Sequence, residues 1–337
     1  RRRKSRTPAE VNWGDTGSVA VKMIDHHIDL YGPGCAGEYA DPRATGEALT
    51  RIGMLTRDAV RMSVLHTSRK SGRAMRGLEK AWRIQNGPHT AGPRGSTRLR
   101  FRAMTLGDAA PRLFEQEKFW DDGPRPEDTA LDLAGWALGD ISQHHRDSDR
   151  FDADLLKRVT RFKQVLRHGV EHMDWGGHRL RKKDQARIDA GVTSTAEQWL
   201  NQTPPSKKVR VAGKLDMMRV SDRVMELLLE DGQRVRAVLL DHEPSSHKGL
   251  LGQQVLIEGK AVFRPTGSLL RVEVAGVKAA SQSDSFFSQV PVAEPAALDA
   301  KRLSRQQTPS TGINAVWGQW PGDESDEEFA AALDELD

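Results

Sequence analysis

The chain has 337 residues, 37% of them hydrophobic and 29% charged, a composition that fits two globular domains and excludes a fully disordered protein. No apolar run approaches the roughly 20 residues that cross a bilayer, so we expect no membrane partner. The formal net charge is +4, but residues 321–337 hold eight acids and no base, which leaves +12 on the residues before them.

Residues 1–10 are expected to form a basic N-terminal arm, and residues 11–203 a mainly helical domain within an α+β fold. An amphipathic helix is predicted over Val19–Leu30 and a strand over Arg98–Met104. Apolar residues at three- and four-residue spacing place one helix face at Ala48, Ile52, Leu55, Ala59 and Met62. A second helix, beginning near Pro126 and Asp128, carries Leu131, Ala134, Leu138 and Ile141.

The strongest helical pattern of this domain covers Asp152–His168. Asp152 is the predicted N-cap, and Gly169 supplies the left-handed residue that commonly ends a helix. Its buried stripe consists of Leu155, Val159, Phe162 and Leu166. The capping-box spacing of Ser194 and Glu197 predicts one more short helix, which Pro204-Pro205 ends at the expected domain boundary.

Residues 206–280 change to the pattern of short strands. Asp231-Gly232 between Val224–Leu229 and Val235–Leu240 is typical of a hairpin, because this dipeptide accepts positive φ. Further strands are predicted at Val209–Val211, Val255–Glu258, Ala261–Arg264, Leu269–Val274 and Val277–Ala279. Such a series favours a small antiparallel β-barrel, which resembles an OB-fold or SH3-like barrel in architecture.

Residues 281–316 are rich in Ser, Gln, Pro and Ala and are predicted to form an extended linker. Residues 317–337 then form a predicted acidic amphipathic helix behind two tryptophans. Its apolar face and its surrounding charges are expected to bind a protein partner. The predicted partner-binding residues are Trp317, Trp320, Asp323, Glu324, Asp326, Glu327, Glu328, Phe329, Leu333 and Leu336.

The segment Trp320–Glu328 is similar to the C-terminal tails of some bacterial antitoxin-type proteins, which pair with nuclease toxins. This resemblance implies an acidic helix that fills a basic or metal-bearing active site of the partner. We therefore expect a non-enzymatic regulatory or interaction protein, an antitoxin-like or defence-system accessory subunit of the bacterial cytoplasm. The alternative is a tail that folds back onto its own basic body.

Nucleic-acid binding by the basic body and the barrel is the second hypothesis, because a charge of +12 suits a polyanion. The candidate contacts are Arg179, Arg181, Lys182, Lys183, Arg187, Lys207, Lys208 and Arg210. Barrels that bind single strands also present aromatic residues for stacking. Only Phe263 lies inside the predicted barrel, with Phe286 and Phe287 just beyond it. Charge runs that are merely solvated are the alternative.

The run from His168 to His172 contains H-x-x-E-H, which resembles the zinc site of inverzincin metallopeptidases. The resemblance implies His168 and His172 as ligands and Glu171 as general base of a zinc-dependent hydrolase. Both histidines would have to share one helix face, yet Gly169 is predicted to end that helix. Surface histidines at a helix end are the alternative interpretation.

Three other groups of residues suggest chemistry less strongly. Asp25-His26-His27 resembles the D-H-H triplet of a phosphoesterase family, but no earlier D-x-D motif precedes it. Asp241-His242-Glu243 with His247 forms a metal-capable loop, and Cys35 is a lone thiol with no identified base. Because no phosphate-binding or nucleophile-elbow motif is present either, we expect no cofactor and no catalytic residue. The single cysteine favours a reducing compartment.

Overall fold

The structure is a computed structural model that describes residues 23–69, 77–115, 123–180, 186–240 and 244–293. Clustering of contacts divides the chain into two units, Arg1–Ala293 and Glu294–Asp337, and every described residue belongs to the first. Within those ranges, no helix has the length and apolar character needed to span a membrane.

Residues 23–202 combine helices with a sheet. The helices are α1 (Pro42–Leu65), α2 (Leu78–Ala81), α3 (Leu106–Ala109), α4 (Ala130–Ser142), α5 (Ala153–Thr160), α6 (Lys163–Leu166) and α7 (Ala190–Gln202). The strands are β1 (Met23–Tyr31), β2 (Cys35–Ala36), β3 (Tyr39–Ala40), β4 (Ile84–Asn86), β5 (Thr90–Ala91), β6 (Thr97–Met104), β7 (His172–Gly176) and β8 (Ala186–Ile188). Because a six-stranded sheet runs through this region, the prediction of a mainly helical domain is not confirmed.

The sheet has the strand order β4-β6-β1-β7-β8, with β5 also paired to β6, and all of these pairs are antiparallel. The predicted helix over Val19–Leu30 is wrong from Met23 onward, since that stretch is the central strand β1. Ile24, Ile28 and Leu30 are buried at two-residue intervals that His26 completes. His26 is a polar residue at a buried position of the strand, so the sequence does not show the apolar alternation that indicates a strand.

Helix packing completes the core of this region. Helix α1 packs against α4, α5 and α6, while α4 also packs against β6 and β8. The predicted buried faces of α1 and α4 are confirmed, since all nine residues of those two stripes are buried. On the sheet side, the buried Trp175 indole donates from Nε1 to the Leu131 carbonyl at 2.9 Å and joins the sheet to α4.

The single helix predicted over Asp152–His168 is wrong in part, because a turn at Arg161 and Phe162 divides it into α5 and α6. The ends of α5–α6 and of α7 test the predicted capping. Asp152 is the N-cap of α5, as predicted, and its carboxylate accepts from the Leu155 amide at 3.1 Å. Gly169 has the predicted left-handed backbone, with φ of 77°. The predicted start of α7 at Ser194 is wrong, because Asp189 is the N-cap and accepts from the Val192 amide at 2.9 Å.

Residues 207–279 form a closed five-stranded barrel with the order β10-β11-β13-β12-β9. Its strands are β9 (Lys207–Arg219), β10 (Val224–Leu228), β11 (Arg234–Leu239), β12 (Gln254–Phe263) and β13 (Leu269–Ala279). The predicted small barrel is present, but the prediction that it is antiparallel is wrong at one pair of strands, because β11 and β13 pair in parallel. The predicted hairpin between β10 and β11 is confirmed, and Gly232 has φ of 81°.

The sequence predicts two strands, Val255–Glu258 and Ala261–Arg264, where the structure has the single strand β12 with a bulge in its middle. The pairing of β12 with β13 shifts register between Glu258 and Gly259. At this shift the backbone of β13 comes so close that a Cβ on Gly259 would lie 2.3 Å from the Glu273 carbonyl oxygen. Glycine is therefore required to keep the barrel closed at this point.

The outer face of β13 connects the barrel to the helices. Val272 and Val274 fill the barrel interior, whereas Leu270 packs into the core of the preceding region. Arg271 is only 3% exposed; its Nη2 lies 3.1 Å from Asp152 Oδ2 and 2.8 Å from Glu273 Oε1. The N-cap of α5 is thus held by a barrel arginine, which ties the two regions together.

Candidate nucleic-acid interface

The first half of β9 presents a row of basic side chains on the outside of the barrel. Val211 points into the barrel core, so the alternation of the strand turns Lys208 and Arg210 outward. Lys208 is directly opposite Lys260 of β12 in the register. Two ammonium groups therefore share one patch of the barrel surface.

Beyond β13, a 3-10 helix at Gln282–Phe287 packs against β9. Ser281 and Asp284 form a capping box at its start, in which both the amide and the hydroxyl of Ser281 donate to Asp284 Oδ2 at 2.7 Å. Part of the predicted extended linker is therefore ordered. The capping box fixes the direction in which Phe286 and Phe287 leave the barrel.

The two phenylalanines complete the surface. The Arg210 guanidinium lies over the Phe287 ring, with 5.7 Å from Cζ to the ring centroid. Phe286 makes an edge-to-face contact with Phe287 at 5.6 Å, yet its side chain is 76% exposed. A phenylalanine this exposed leaves one ring face free for another flat, apolar partner. We define the aromatic-basic surface as Lys208, Arg210, Lys260, Lys278, Phe286 and Phe287.

Two acids orient the cations of the aromatic-basic surface. Glu258 Oε1 lies 3.2 Å from Arg210 Nε and 3.8 Å from Lys278 Nζ. Hydrogen bonds from Ser281 lower the pKa of Asp284, and the charges of Lys278 and Arg210 lower it further. Four bases against two acids leave this surface net positive.

The other predicted nucleic-acid contacts lie elsewhere. Arg179 is 3.0 Å from Glu127 and 3.3 Å from Asp128, at the wall of a 580 Å³ cavity. Arg187 lies on β8 and pairs with Asp174 at 2.8 Å. Lys207 begins β9, while Arg181, Lys182 and Lys183 lie outside the described residues. Of the predicted set, Lys208 and Arg210 are the two that meet at the aromatic-basic surface.

The residues of the H-x-x-E-H run are split between two kinds of backbone. His168 follows α6, whereas His172 begins β7 and stacks on Tyr31 with 4.5 Å between ring centroids. The shared helix face that the metallopeptidase pattern requires is therefore not formed. Within the described ranges, no group of three or more His, Cys, Asp or Glu side chains is placed to hold a metal ion. Asp241, His242 and Glu243 lie outside those ranges.

His26 of the D-H-H triplet belongs to a buried hydrogen-bond network. The His178 amide donates to His26 Nδ1 at 3.2 Å, so the ring proton is on Nε2, 3.0 Å from Thr129 Oγ1. The Thr129 hydroxyl in turn donates to Asp132 Oδ2 at 2.8 Å within the capping box of α4. Burial lowers the pKa of His26 to about 4, against the opposing charge of Asp132. The imidazole is thus neutral, with both nitrogens occupied, and serves as a structural link.

Cys35 lies at the start of β2 and is buried. Burial, together with the charge of Asp41, raises the pKa of its thiol to about 11. A thiol of this kind stays protonated at neutral pH and is a poor nucleophile.

The aromatic-basic surface combines residues that lie far apart in the sequence. Arg210 and Phe287 are 77 positions apart in the sequence, and their contact follows from the packing of the 3-10 helix on β9. The only local signal was the Ser281 and Asp284 capping spacing. The predicted tail residues from Trp317 to Leu336 lie outside the described residues. Comparisons with protein families, with characterised proteins and with solved structures give no match to this chain.

Proposed function

We propose that this protein binds single-stranded nucleic acid through the aromatic-basic surface of its barrel. The observation that carries the proposal is the exposed Phe286 ring beside Arg210 and Lys208. Stacking of a base on an aromatic side chain contributes about 1–3 kcal/mol and tolerates any base, while neighbouring cations hold the phosphates.

Two further observations support this proposal. Counted from β9, the barrel strands follow the order 1-2-3-5-4 and close back on strand 1, with strands 3 and 5 parallel. This connectivity supports an OB-like interpretation, although OB-folds commonly bind oligonucleotides on strands 2 and 3, and the aromatic-basic surface lies on strands 1, 4 and 5 and beyond strand 5. The charge of +12 on the residues before 321 would attract any polyanion before contact is made.

Replacing Phe286 with alanine is expected to weaken binding of a mixed-sequence single strand about tenfold or more, because one stacked base is lost. Fluorescence anisotropy of labelled DNA and RNA 20-mers against the full chain measures this, at several salt concentrations. Lys208→Gln should weaken binding and lower the salt slope by about one, since one phosphate contact disappears.

Tyr39→Ala is the matched control, because Tyr39 is 81% exposed and lies on β3, away from the barrel. Its affinity should stay within about twofold of the parent. Equal losses from Phe286→Ala and Tyr39→Ala would contradict the proposal. So would binding that is undetectable or unaffected by salt.

A second candidate function concerns the tail, and we propose it on different grounds. Residues 317–337 carry the acidic amphipathic pattern with Trp317 and Trp320. This supports an interaction or regulatory role, antitoxin-like in character, toward a protein partner with a basic surface.

Co-purification with the full chain and with a chain ending at residue 316 tests the tail hypothesis. The full chain is expected to retain a partner that the shorter chain loses, because the aromatic anchors and their charges are gone. A third sample, the full chain with Phe329→Ala and Leu333→Ala, keeps the charge and removes the apolar face. Unchanged partner recovery in all three samples would refute this hypothesis.

A further inference from the structure

A buried carboxylate gathers three arginines where α1 meets α5. Asp58 of α1 is 3% exposed; its Oδ1 lies 2.9 Å from Arg57 Nε, and its Oδ2 lies 2.7 Å from Arg158 Nε of α5. Arg61, one turn along α1, has Nη1 at 3.9 Å from Oδ1. One negative charge thus holds three guanidinium groups in fixed positions, and two positive charges remain in excess.

The contacts of these arginines leave donors available. Arg158 uses Nε for Asp58 and Nη1 for Met54 Sδ at 3.8 Å, which leaves Nη2. Among the described residues, Arg57 contacts Asp58 through Nε, at 2.9 Å from Oδ1. The Arg61 guanidinium lies over the Trp82 ring, 5.1 Å from the centroid, so the ring also orients it. Fixed guanidinium forks with free N–H groups match the oxygens of an oxyanion.

These groups line a cavity of about 380 Å³. Three more bases stand at its wall, Arg69, Lys157 and Arg161, and all three are exposed. In the part of the chain that the structure describes, none of those three has an acidic partner within ion-pair distance. Six bases therefore face two acids, Asp58 and Asp154.

The excess of positive charge in this cluster affects the pKa of Arg61. Burial lowers the pKa of its guanidinium, and repulsion from Arg57 and Arg158 lowers it further, while Asp58 opposes the change. A bound anion would relieve that repulsion. A single carboxylate carries less charge than the excess of cations around the cavity, whereas a diphosphate offers several oxygens and more charge.

We propose that the Asp58 cavity is a binding site for a diphosphate group. Arg57, Arg61 and Arg158 donate to the inner phosphate oxygens, and Lys157 and Arg161 neutralise the outer ones. Asp58 is a positioning residue, since its carboxylate orients the guanidinium groups and does not contact the ligand. This site is separate from the aromatic-basic surface and does not depend on the function proposed for it.

Isothermal titration of the full chain with inorganic pyrophosphate at low salt tests the proposal. The variant Lys157→Gln with Arg161→Gln is expected to bind at least tenfold more weakly than the parent, since two exposed ligand contacts are removed. The variant Arg112→Gln with Arg167→Gln removes the same charge at exposed positions outside the cavity and should bind within about twofold of the parent. No binding by the parent chain, or equal weakening in the two double variants, would overturn the proposal.

The source of the diphosphate is distinguished in the same assay. An oligonucleotide with a 5′-diphosphate that binds more tightly than its 5′-hydroxyl form, in a manner lost with Lys157→Gln and Arg161→Gln, identifies a nucleic-acid end as ligand. Equal binding of the two oligonucleotides, with pyrophosphate binding retained, identifies a free diphosphate. Phe286→Ala should leave pyrophosphate binding unchanged, which separates a failure here from a failure of the proposed single-strand binding.

Discussion

Replacing Arg271 with leucine is expected to lower the free energy of unfolding by about 3–5 kcal/mol, the usual effect of breaking one partner out of a buried ion pair. Arg271 is 3% exposed and bridges Asp152, Glu273 and Thr67. Without the guanidinium, two carboxylates are left without their cation in a site that water does not reach easily. Asp152 also caps α5, so the loss extends to that helix.

Urea denaturation followed by far-ultraviolet circular dichroism measures this difference. Arg234→Leu is the matched control, because Arg234 also pairs with two carboxylates, Asp216 and Glu226, but is 55% exposed. An exposed pair of this kind contributes at most about 1 kcal/mol. If Arg271→Leu and Arg234→Leu lower the free energy of unfolding by similar amounts, the buried ion-pair cluster does not stabilise the fold more than an exposed one, and the prediction is wrong.

Acid should destabilise the protein through His26. Its imidazole is buried and neutral with a pKa of about 4, whereas an unfolded histidine titrates near 6.5. Below pH 6.5 the His26 ring binds a proton in the unfolded chain but not in the folded chain, so the free energy of unfolding decreases as the pH falls from 6.5 toward 4. The contribution of His26 to this loss between pH 7 and pH 4 is about 3 kcal/mol.

His26→Gln isolates that contribution, because glutamine keeps a donor toward Thr129 and does not titrate. The difference in unfolding free energy between pH 7 and pH 4 should be smaller in this variant than in the parent by about 3 kcal/mol. His145→Gln is the comparison, in which the histidine removed is 60% exposed. A change as large as that in His26→Gln would show that the effect is not specific to the buried ring. An identical pH dependence in the parent and in His26→Gln would show that the folded and unfolded chains protonate this ring to the same extent, and would contradict the prediction.

Local patterns predicted much of the fold. The stripes of α1 and α4, the Asp152 cap, the Gly169 end, the strand near Arg98 and the Asp231-Gly232 hairpin all depend on neighbours in sequence, and each is present. Such features follow from spacing and from backbone preference, which a single chain reveals.

Features that depend on distant partners were missed or mistaken. Strand β1 is stabilised by β6 and β7 on either side, and the inward position of His26 is satisfied by Thr129, 103 residues away, which accepts a hydrogen bond from the ring. The parallel pairing of β11 with β13 likewise follows from barrel closure. The same is true of the sites: the basic run at Lys207–Arg210 was visible in the sequence, but neither the Phe287 contact nor the Asp58 cluster was.

The ion pair between Arg271 and Asp152 also fixes a distance. Strand β13 extends from Arg271 to Lys278 at the aromatic-basic surface, about 23 Å at the usual rise of a strand. Helix α5 with its two cap residues extends from Asp152 to Arg161 at the Asp58 cavity, about 14 Å at the usual rise of a helix. The aromatic-basic surface and the Asp58 cavity are thus connected by a path of about 40 Å. With both regions binding anions as proposed, a polyanion long enough to reach both would bind the second at high effective concentration, and the two sites would act as one bivalent receptor.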